Sequence, residues 1–362
     1  MKHRINKGLM ILLMLFSFFV SSAMASEKEQ MKEDSKKEFN AKDFIFDHIL
    51  DGYEFHVTAI GDHHISIPLP VIVKSQDRGW FVFLSSKFEH GHASYEGFRI
   101  PAEGEYKGKV VEVLPDRSEV RPFDMSITRN VFTIILVAII LLSIFLWMAH
   151  CYKKEPMKAP GGFRGVMEVV VLFILDGVIK PCIGKNYARY SPYLLTVFFF
   201  ILLNNLLGLI PIFPGGANVT GNIAVTFVLA VITFLFVNIF ATKEYWKDIF
   251  LVPASPMWLK VPIPMMPVLE IVGVFTKPIA LMIRLFANIM AGHIIAMVFM
   301  SLIFIFAYTQ GTGVATGVGI FSCLFSLFMQ VLEVLVAFLQ AYVFTLLSSV
   351  FIGLSQIEEH HA

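Results

Sequence analysis

Arg284 stands in the run Leu281-Met282-Ile283-Arg284-Leu285-Phe286, a charge set in apolar sequence. At the centre of a membrane-crossing helix an arginine costs about 2.5–3.5 kcal/mol on insertion scales, so it has to face protein or water. A guanidinium stays protonated in proteins, so it is no proton relay. It can attract a deprotonated carboxylate and interrupt a chain of proton carriers, which is the chemistry of an electrostatic gate.

Few other ionisable residues occupy the two apolar stretches Val268–Tyr308 and Val318–Gly353: Glu270, Lys277 and His293 on the first and Glu333 on the second. Glu270, Lys277 and Arg284 are seven apart, two helical turns each, and share a face. His293 follows Arg284 by nine, about 900° round a helix, which turns it to the opposite face. Histidine titrates near neutral pH and carboxylates can be tuned towards it, so His293 with Glu333 is a candidate proton-exchanging pair on adjoining helices. Gln340 lies seven after Glu333, a neutral donor and acceptor that could orient Arg284. The plainer alternative makes Arg284 half of a structural ion pair with Glu270 or Glu333, and makes His293, Asn288 and Gln340 hydrogen-bonding glue between helices. Glu270 and Lys277, near the end of their stretch, read as supporting or snorkelling groups.

The elements that carry these residues belong to a membrane protein. Of 362 residues, 56% are hydrophobic and 16% charged, and the mean hydropathy is +0.69. Too few charges remain to coat a soluble globule. With 29 Lys+Arg against 28 Asp+Glu, no basic surface argues for nucleic acid. Cys151, Cys182 and Cys323 are far apart and signal neither a disulfide framework nor a metal site.

A crossing is expected from Val131 to Ala149, followed by His150, Lys153, Lys154, Lys158 and Arg164, which mark a cytoplasmic exit. Val166 to Ile179, broken by Glu168 and Asp176, suits a helix lying on that face. Crossings from Tyr193 to Phe213 and from Ile223 to Ala241 flank the uncharged external linker Gly215-Gly216-Ala217-Asn218. Prolines between Pro253 and Pro267 then forbid regular helix. Val268 to Tyr308 would span about 60 Å as one helix, twice the hydrocarbon core, and Val318 to Gly353 has the same excess. Strong tilt or breaks must absorb it, with Pro278 a place for a kink. The turn between the two is Gly311-Thr312-Gly313. The expected fold is thus an all-α polytopic membrane protein with about five traversing helices, including a long tilted C-terminal hairpin, plus a small β-rich exported N-terminal element.

That element begins with a leader. Lys2, Arg4 and Lys7 precede an apolar run from Leu9 to Val20 and the small-residue site Ala23-Met24-Ala25, so residues 1–25 read as a signal peptide and 26–126 as exported. After a charged linker to Lys42, alternating residues such as Phe55-Val57-Ala59 and Ile65-Ile67-Leu69 predict short strands. Asp62-His63-His64 and Glu89-His90-Gly91-His92 lack metal-ligand spacing and read as solvated loop residues.

Ile283-Arg284-Leu285-Phe286-Ala287-Asn288-Ile289-Met290-Ala291-Gly292-His293 resembles the RLFxNxxAGxx signature of F-type ATP synthase subunit a, a specific motif. Glu270, Lys277-Pro278, Leu339-Gln340-Ala341-Tyr342-Val343-Phe344 and Asn204-Asn205-Leu206-Leu207-Gly208-Leu209-Ile210-Pro211 resemble further parts of the family pattern, over residues 127–362. The resemblance implies that Arg284 faces the rotor carboxylate, that Gln340 is its neighbour on the last helix, and that His293 and Glu333 belong to an access half-channel. It also implies a rotor ring of c subunits, peripheral-stalk b subunits and a catalytic head as partners, in a bacterial inner membrane with a periplasmic N-terminal region and a cytoplasmic C-terminus. The position after Ala291-Gly292 is commonly glutamate in bacterial members and that of Glu333 histidine; here the two are exchanged, as in mitochondrial members. An exported region of this length also exceeds the family's usual short N-terminus. No GxxxxGK[ST] loop occurs, so no nucleotide cofactor is expected and ATP chemistry falls to partner subunits. Two other classes are a secondary transporter, which predicts internal inverted repeats that the halves do not display, and a membrane anchor for residues 26–125, which leaves Arg284 without a purpose.

Overall fold

The computed structural model describes residues 51–356 apart from 61–62, 76, 92, 102–103, 115, 117, 155–158, 160, 211–214, 252–264 and 311. The leader, the charged linker, Asp62, His92 and the proline-rich connection lie outside the described residues. The chain divides into two compact units, Met1–Arg129 with Ser301–Val318, and Asn130–Met300 with Gly319–Ala362.

Among the described residues the first unit holds eight short strands: β1 (Glu54–Ile60), β2 (His63–Pro68), β3 (Pro70–Ser75), β4 (Gly79–Leu84), β5 (Phe98–Arg99), β6 (Val111–Val113), β7 (Glu119–Val120) and β8 (Phe123–Asp124). They form three antiparallel sheets, β1-β2, β4-β3-β8 and β5-β6-β7, as the alternation in sequence predicts. Lys74 pairs with Trp80 and Ser75 with Gly79 across a tight turn, where Gly79 takes φ 86°, a region in which a Cβ is strained. The core joins Tyr53, Val71, Val73, Phe88, Phe98 and Val110, with Phe81, Phe83, Tyr95 and Ile100 packed against it. Glu112, also buried, accepts hydrogen bonds from Ser75 Oγ at 2.8 Å and from Arg78 Nε and Nη2 at 3.1 and 2.8 Å, so its charge is compensated. Tyr53 Oη donates to Asp124 Oδ2 at 2.6 Å and accepts from Val110 N at 3.3 Å. Burial, and then the hydrogen bond to Asp124, pushes this phenol well above its ordinary value. Among the described residues no group of three His, Cys, Asp or Glu could hold a metal ion.

Helices make up the second unit and its continuation: α1 (Arg129–Lys154), α2 (Phe163–Ile174), α3 (Lys180–Ile183), α4 (Tyr187–Gly208), α5 (Ile223–Ile239), α6 (Lys243–Leu251), α7 (Met265–Gln310) and α8 (Thr312–Ser355). A π-turn at Leu175–Ile179 joins α2 to α3. Among the described residues three segments are long and apolar enough to cross a membrane, Arg129–Lys154, Pro267–Phe299 and Gly317–Ser355, and a fourth if α5 and α6, bent by 100°, count as one. The expected crossing from Tyr193 corresponds to α4, which ends at Gly208 and supplies Tyr190, Leu194, Phe198 and Ile201 to the centre of the core. The excess length of the C-terminal stretches is not absorbed by breaks. Helix α7 runs on through Pro278 for 46 residues and α8 for 44, about 69 and 66 Å at 1.5 Å per residue. In their apolar windows only 17% and 11% of residues are buried.

Several polar side chains inside these helices return their hydrogen bonds to the backbone. Thr233 Oγ1, Asn238 Nδ2, Thr345 Oγ1 and Ser349 Oγ donate to the carbonyls of Leu229, Phe234, Ala341 and Thr345, each four residues earlier. A lipid environment demands such internal satisfaction. Ring contacts tie helix to helix: Tyr193 stacks on Phe236 at 4.0 Å, and Phe145 meets Phe199 at 5.1 Å and Phe198 meets Phe338 at 6.0 Å edge to face. Helix α2 turns Phe163, Val166, Val169, Leu172 and Phe173 outward while Met167, Val170 and Val171 pack inward. That outward apolar face fits the surface-lying helix expected of this segment.

Candidate functional site

Three contacts fix the hairpin of α7 and α8. Phe299 and Phe325 have ring centroids 4.2 Å apart, a Cβ added to Gly292 would lie 2.8 Å from Glu333 Oε1, and Lys277 Nζ sits 5.7 Å over the Phe351 ring. The later the residue on α7, the earlier its partner on α8, so the helices are antiparallel in one register. Arg284 falls between Lys277 and Gly292, which sets it within about one turn of the level of Gln340.

At that level the two side chains face differently. Arg284 and Asn288 are exposed, with Ile283 and Ala287, while Leu281 and Leu285 on the other side of α7 are buried. Arg284 has no ion pair or hydrogen bond among the described residues, so neither Glu270 nor Glu333 neutralises it. Gln340 is buried at 8% exposure, on the same side of α8 as Glu333, Ala337, Ala341 and Phe344. Among the described residues it makes no hydrogen bond to Arg284. Glu270 is exposed and Lys277 is half-buried against Phe351.

Glu333 is a buried carboxylate of the hairpin, 9% exposed, and its Oε1 has no hydrogen-bond partner among the described residues. It lies against Gly292, whose missing side chain leaves the room it occupies. His293 is the next residue, half-buried, and its Nε2 would be 3.9 Å from a Cβ on Gly208 of α4. The structure thus brings His293, Glu333 and the end of α4 to one locality, with no direct hydrogen bond or ion pair between the imidazole and the carboxylate.

Two bonds from outside α8 bracket Glu333. Gln330 Nε2 donates to Leu209 O at 3.1 Å, and Asn205 Nδ2 donates to Ala337 O at 3.3 Å, about one turn before and one turn after the carboxylate. Asn205 Oδ1 accepts in turn from Thr220 Oγ1 at 2.6 Å, and Asn205 and Thr220 are both buried. This clasp ties α4 and the segment before α5 to the stretch of α8 that carries Glu333. Gln330 and Thr220 were not singled out from sequence. Gln330, three residues before Glu333, was readable as a polar side chain in apolar sequence, whereas nothing local marks Thr220.

Together the site offers an outward, unneutralised cation on one side of the hairpin and a buried carboxylate beside an imidazole on the other. Asn204 Oδ1 is a further buried acceptor without a partner among the described residues, its Nδ2 donating to Phe200 O at 2.7 Å.

The model of the ATP synthase A chain family matches residues 131–353, and a model of a domain of unknown function matches 44–126. ATP synthase subunit a of Chlorobium phaeobacteroides is 45% identical over 257 residues, covering 69% of this chain and 71% of that one. Subunit a 2 of Chlorobaculum tepidum is 48% identical over 240 residues, 66% and 65% of the two chains. Subunit a of Myxococcus xanthus is 38% identical over 245 residues, 66% and 75%. Residues 131–353 carry the helices, the clasp and all of the site described above, and the chain belongs to the ATP synthase A chain family.

Proposed function

We propose that this chain is the proton-translocating stator subunit of an F-type ATP synthase, non-catalytic itself, with Arg284 as the gate between two half-channels. The observation that carries the reading is the exposure of Arg284 on an apolar helix, with no neutralising group among the described residues. A cation so placed needs an anion from outside the chain, and a rotor carboxylate supplies one. His293 and Glu333 then serve one access path, with Asn288 beside the gate, Gln340 near its level, and Glu270 and Lys277 in support.

A proton reaching a rotor carboxylate through the His293–Glu333 side neutralises it, and the neutral helix leaves for lipid. On its return the carboxylate releases the proton to the other half-channel and is held, charged, by Arg284. Each proton crossing 100 mV releases about 2.3 kcal/mol, so a leak past the arginine wastes energy of the order of its insertion cost.

On this reading residues 1–25 are a signal peptide, 26–126 a periplasmic region and 127–362 the membrane domain, in a bacterial inner membrane with the C-terminus cytoplasmic. The partners are a c-subunit ring, b subunits of the peripheral stalk and, through the stalks, the catalytic head. Proton flux in vesicles carrying the assembled complex tests the proposal. Arg284→Ala is expected to abolish ATP-driven pumping while retaining or raising passive leak; normal coupled pumping would overturn the gate.

A further inference from the structure

In an antiparallel sheet with one face on a core, the other face is ordinarily polar. The sheet β4-β3-β8 does the reverse. Its inner face gives Val71 and Val73 to the core, with Phe81 and Phe83 packed against it. Its outer face presents Trp80, Val82 and Leu84 from β4, at 54%, 69% and 50% exposure, and Phe123 and Met125 from β8 and just beyond, at 62% and 58%. Before the first helix these five are the exposed large hydrophobics among the described side chains, and all five lie on one side of this sheet.

Register makes the patch continuous. Trp80 and Phe123 both pair with Lys74, Val82 pairs with Ile72, and Met125 N donates to Ile72 O at 2.9 Å. Leu84 pairs with Pro70, and Ile127 N donates to Pro70 O at 3.0 Å. Lys74 Nζ lies 5.8 Å over the Trp80 ring, and Trp80 meets Phe123 edge to face with centroids 6.3 Å apart. A tryptophan and a phenylalanine with aliphatic neighbours and one lysine whose stem can lie along them make up the residue set of a membrane–water interface.

The chain itself indicates what covers the patch. After β8 the chain stays bonded to β3 through Met125 N and Ile127 N, which donate to Ile72 O and Pro70 O, and at Arg129 the apolar helix Arg129–Lys154 begins. Thr128 alone separates the last of these bonds, at Ile127, from Arg129, where the apolar helix starts.

We propose that the outer face of β4-β3-β8 is a membrane-docking surface that rests in the headgroup region of the leaflet entered by the helix at Arg129. The proposal depends on Arg129–Lys154 spanning the bilayer and not on the gate assigned to Arg284. It gives the extra N-terminal unit a lipid-binding role.

The test uses the full chain in liposomes, with Cys151, Cys182 and Cys323 replaced by alanine and a polarity-sensitive fluorophore on Val82→Cys. The expected result is strong quenching by nitroxide carried on lipid headgroups and weak quenching by aqueous iodide, with the opposite order for the same probe on exposed Glu105→Cys. Adding Phe123→Asp and Leu84→Asp to the Val82→Cys chain is expected to reverse its order. Iodide quenching at Val82→Cys equal to that at Glu105→Cys would overturn the proposal by showing a free face. Protection from both quenchers would overturn it in favour of a second copy or another segment of this chain, and protection appearing only in the assembled complex in favour of a partner subunit.

Discussion

Glu333 lies so close to Gly292 that a Cβ on residue 292 would stand 2.8 Å from Oε1 and 3.4 Å from Cγ. The glycine is therefore the space in which the carboxylate sits. Gly292→Ala is expected to displace Glu333, to cost about 1–3 kcal/mol through overpacking, and to lower proton flux. Gly273 on the same helix has nothing within 4 Å of such a Cβ. Gly273→Ala is expected to keep flux and to match or exceed wild-type stability, because alanine favours helix over glycine by about 1 kcal/mol. Flux in vesicles and thermal unfolding of both variants check the contrast.

Arg284 is exposed and unpaired among the described residues, so its removal leaves no buried counter-charge within the chain. Arg284→Ala is expected to change the stability of the isolated chain by no more than about 0.5 kcal/mol while coupled pumping disappears. A structural ion-pair role makes the opposite prediction, a large loss of stability. Unfolding in detergent beside pumping in the complex separates the two.

The clasp should behave as a unit. Asn205→Leu strands the Thr220 hydroxyl and frees Ala337 O, and Gln330→Leu frees Leu209 O. Each buried group left unsatisfied costs about 1–3 kcal/mol. Proton flux is expected to fall in both variants although Glu333 and His293 are intact, and Asn205→Asp, which keeps the acceptor for Thr220, is expected to retain more of it than Asn205→Leu.

In the N-terminal unit, the Tyr53 phenol is raised above its ordinary value of about 10, first by burial and then by its bond to Asp124. The folded state holds this proton more tightly than the unfolded state. Its stabilising contribution is full below pH 10 and declines as pH rises above 10 towards the folded value. Alkaline loss of near-ultraviolet dichroism is expected to be steeper in wild type than in Tyr53→Phe, which is less stable at pH 7 because Asp124 loses its donor.

Much of this was legible because membrane physics writes itself into sequence. The charge-free run from Val131, the alternation around Ile65-Ile67-Leu69 and the cost of Arg284 in apolar sequence led to α1, to the strands and to the centre of the site. Less legible was anything set by two distant segments. That α4 stops at Gly208, that α7 continues through Pro278, and that Thr220 supports Asn205 depend on packing partners rather than on local pattern. The seven-residue spacing rightly put Gln340 on the face of Glu333. Spacing along one helix has no bearing on the rotation of the other, and Gln340 is buried where Arg284 is exposed.

The small share of α7 and α8 that their own chain buries has a consequence for how substitutions there are read. Residues such as Phe321, Leu324, Phe328, Val331 and Leu335 contribute little to the stability of this polypeptide, so the fold leaves them free to vary among apolar types. On the proposed function, whatever restricts them acts from outside, through the rotor surface that slides past. A screen for expression and stability would pass variants along this stripe that a functioning assembly rejects, and the gap between the two screens would trace the outline of the missing neighbour.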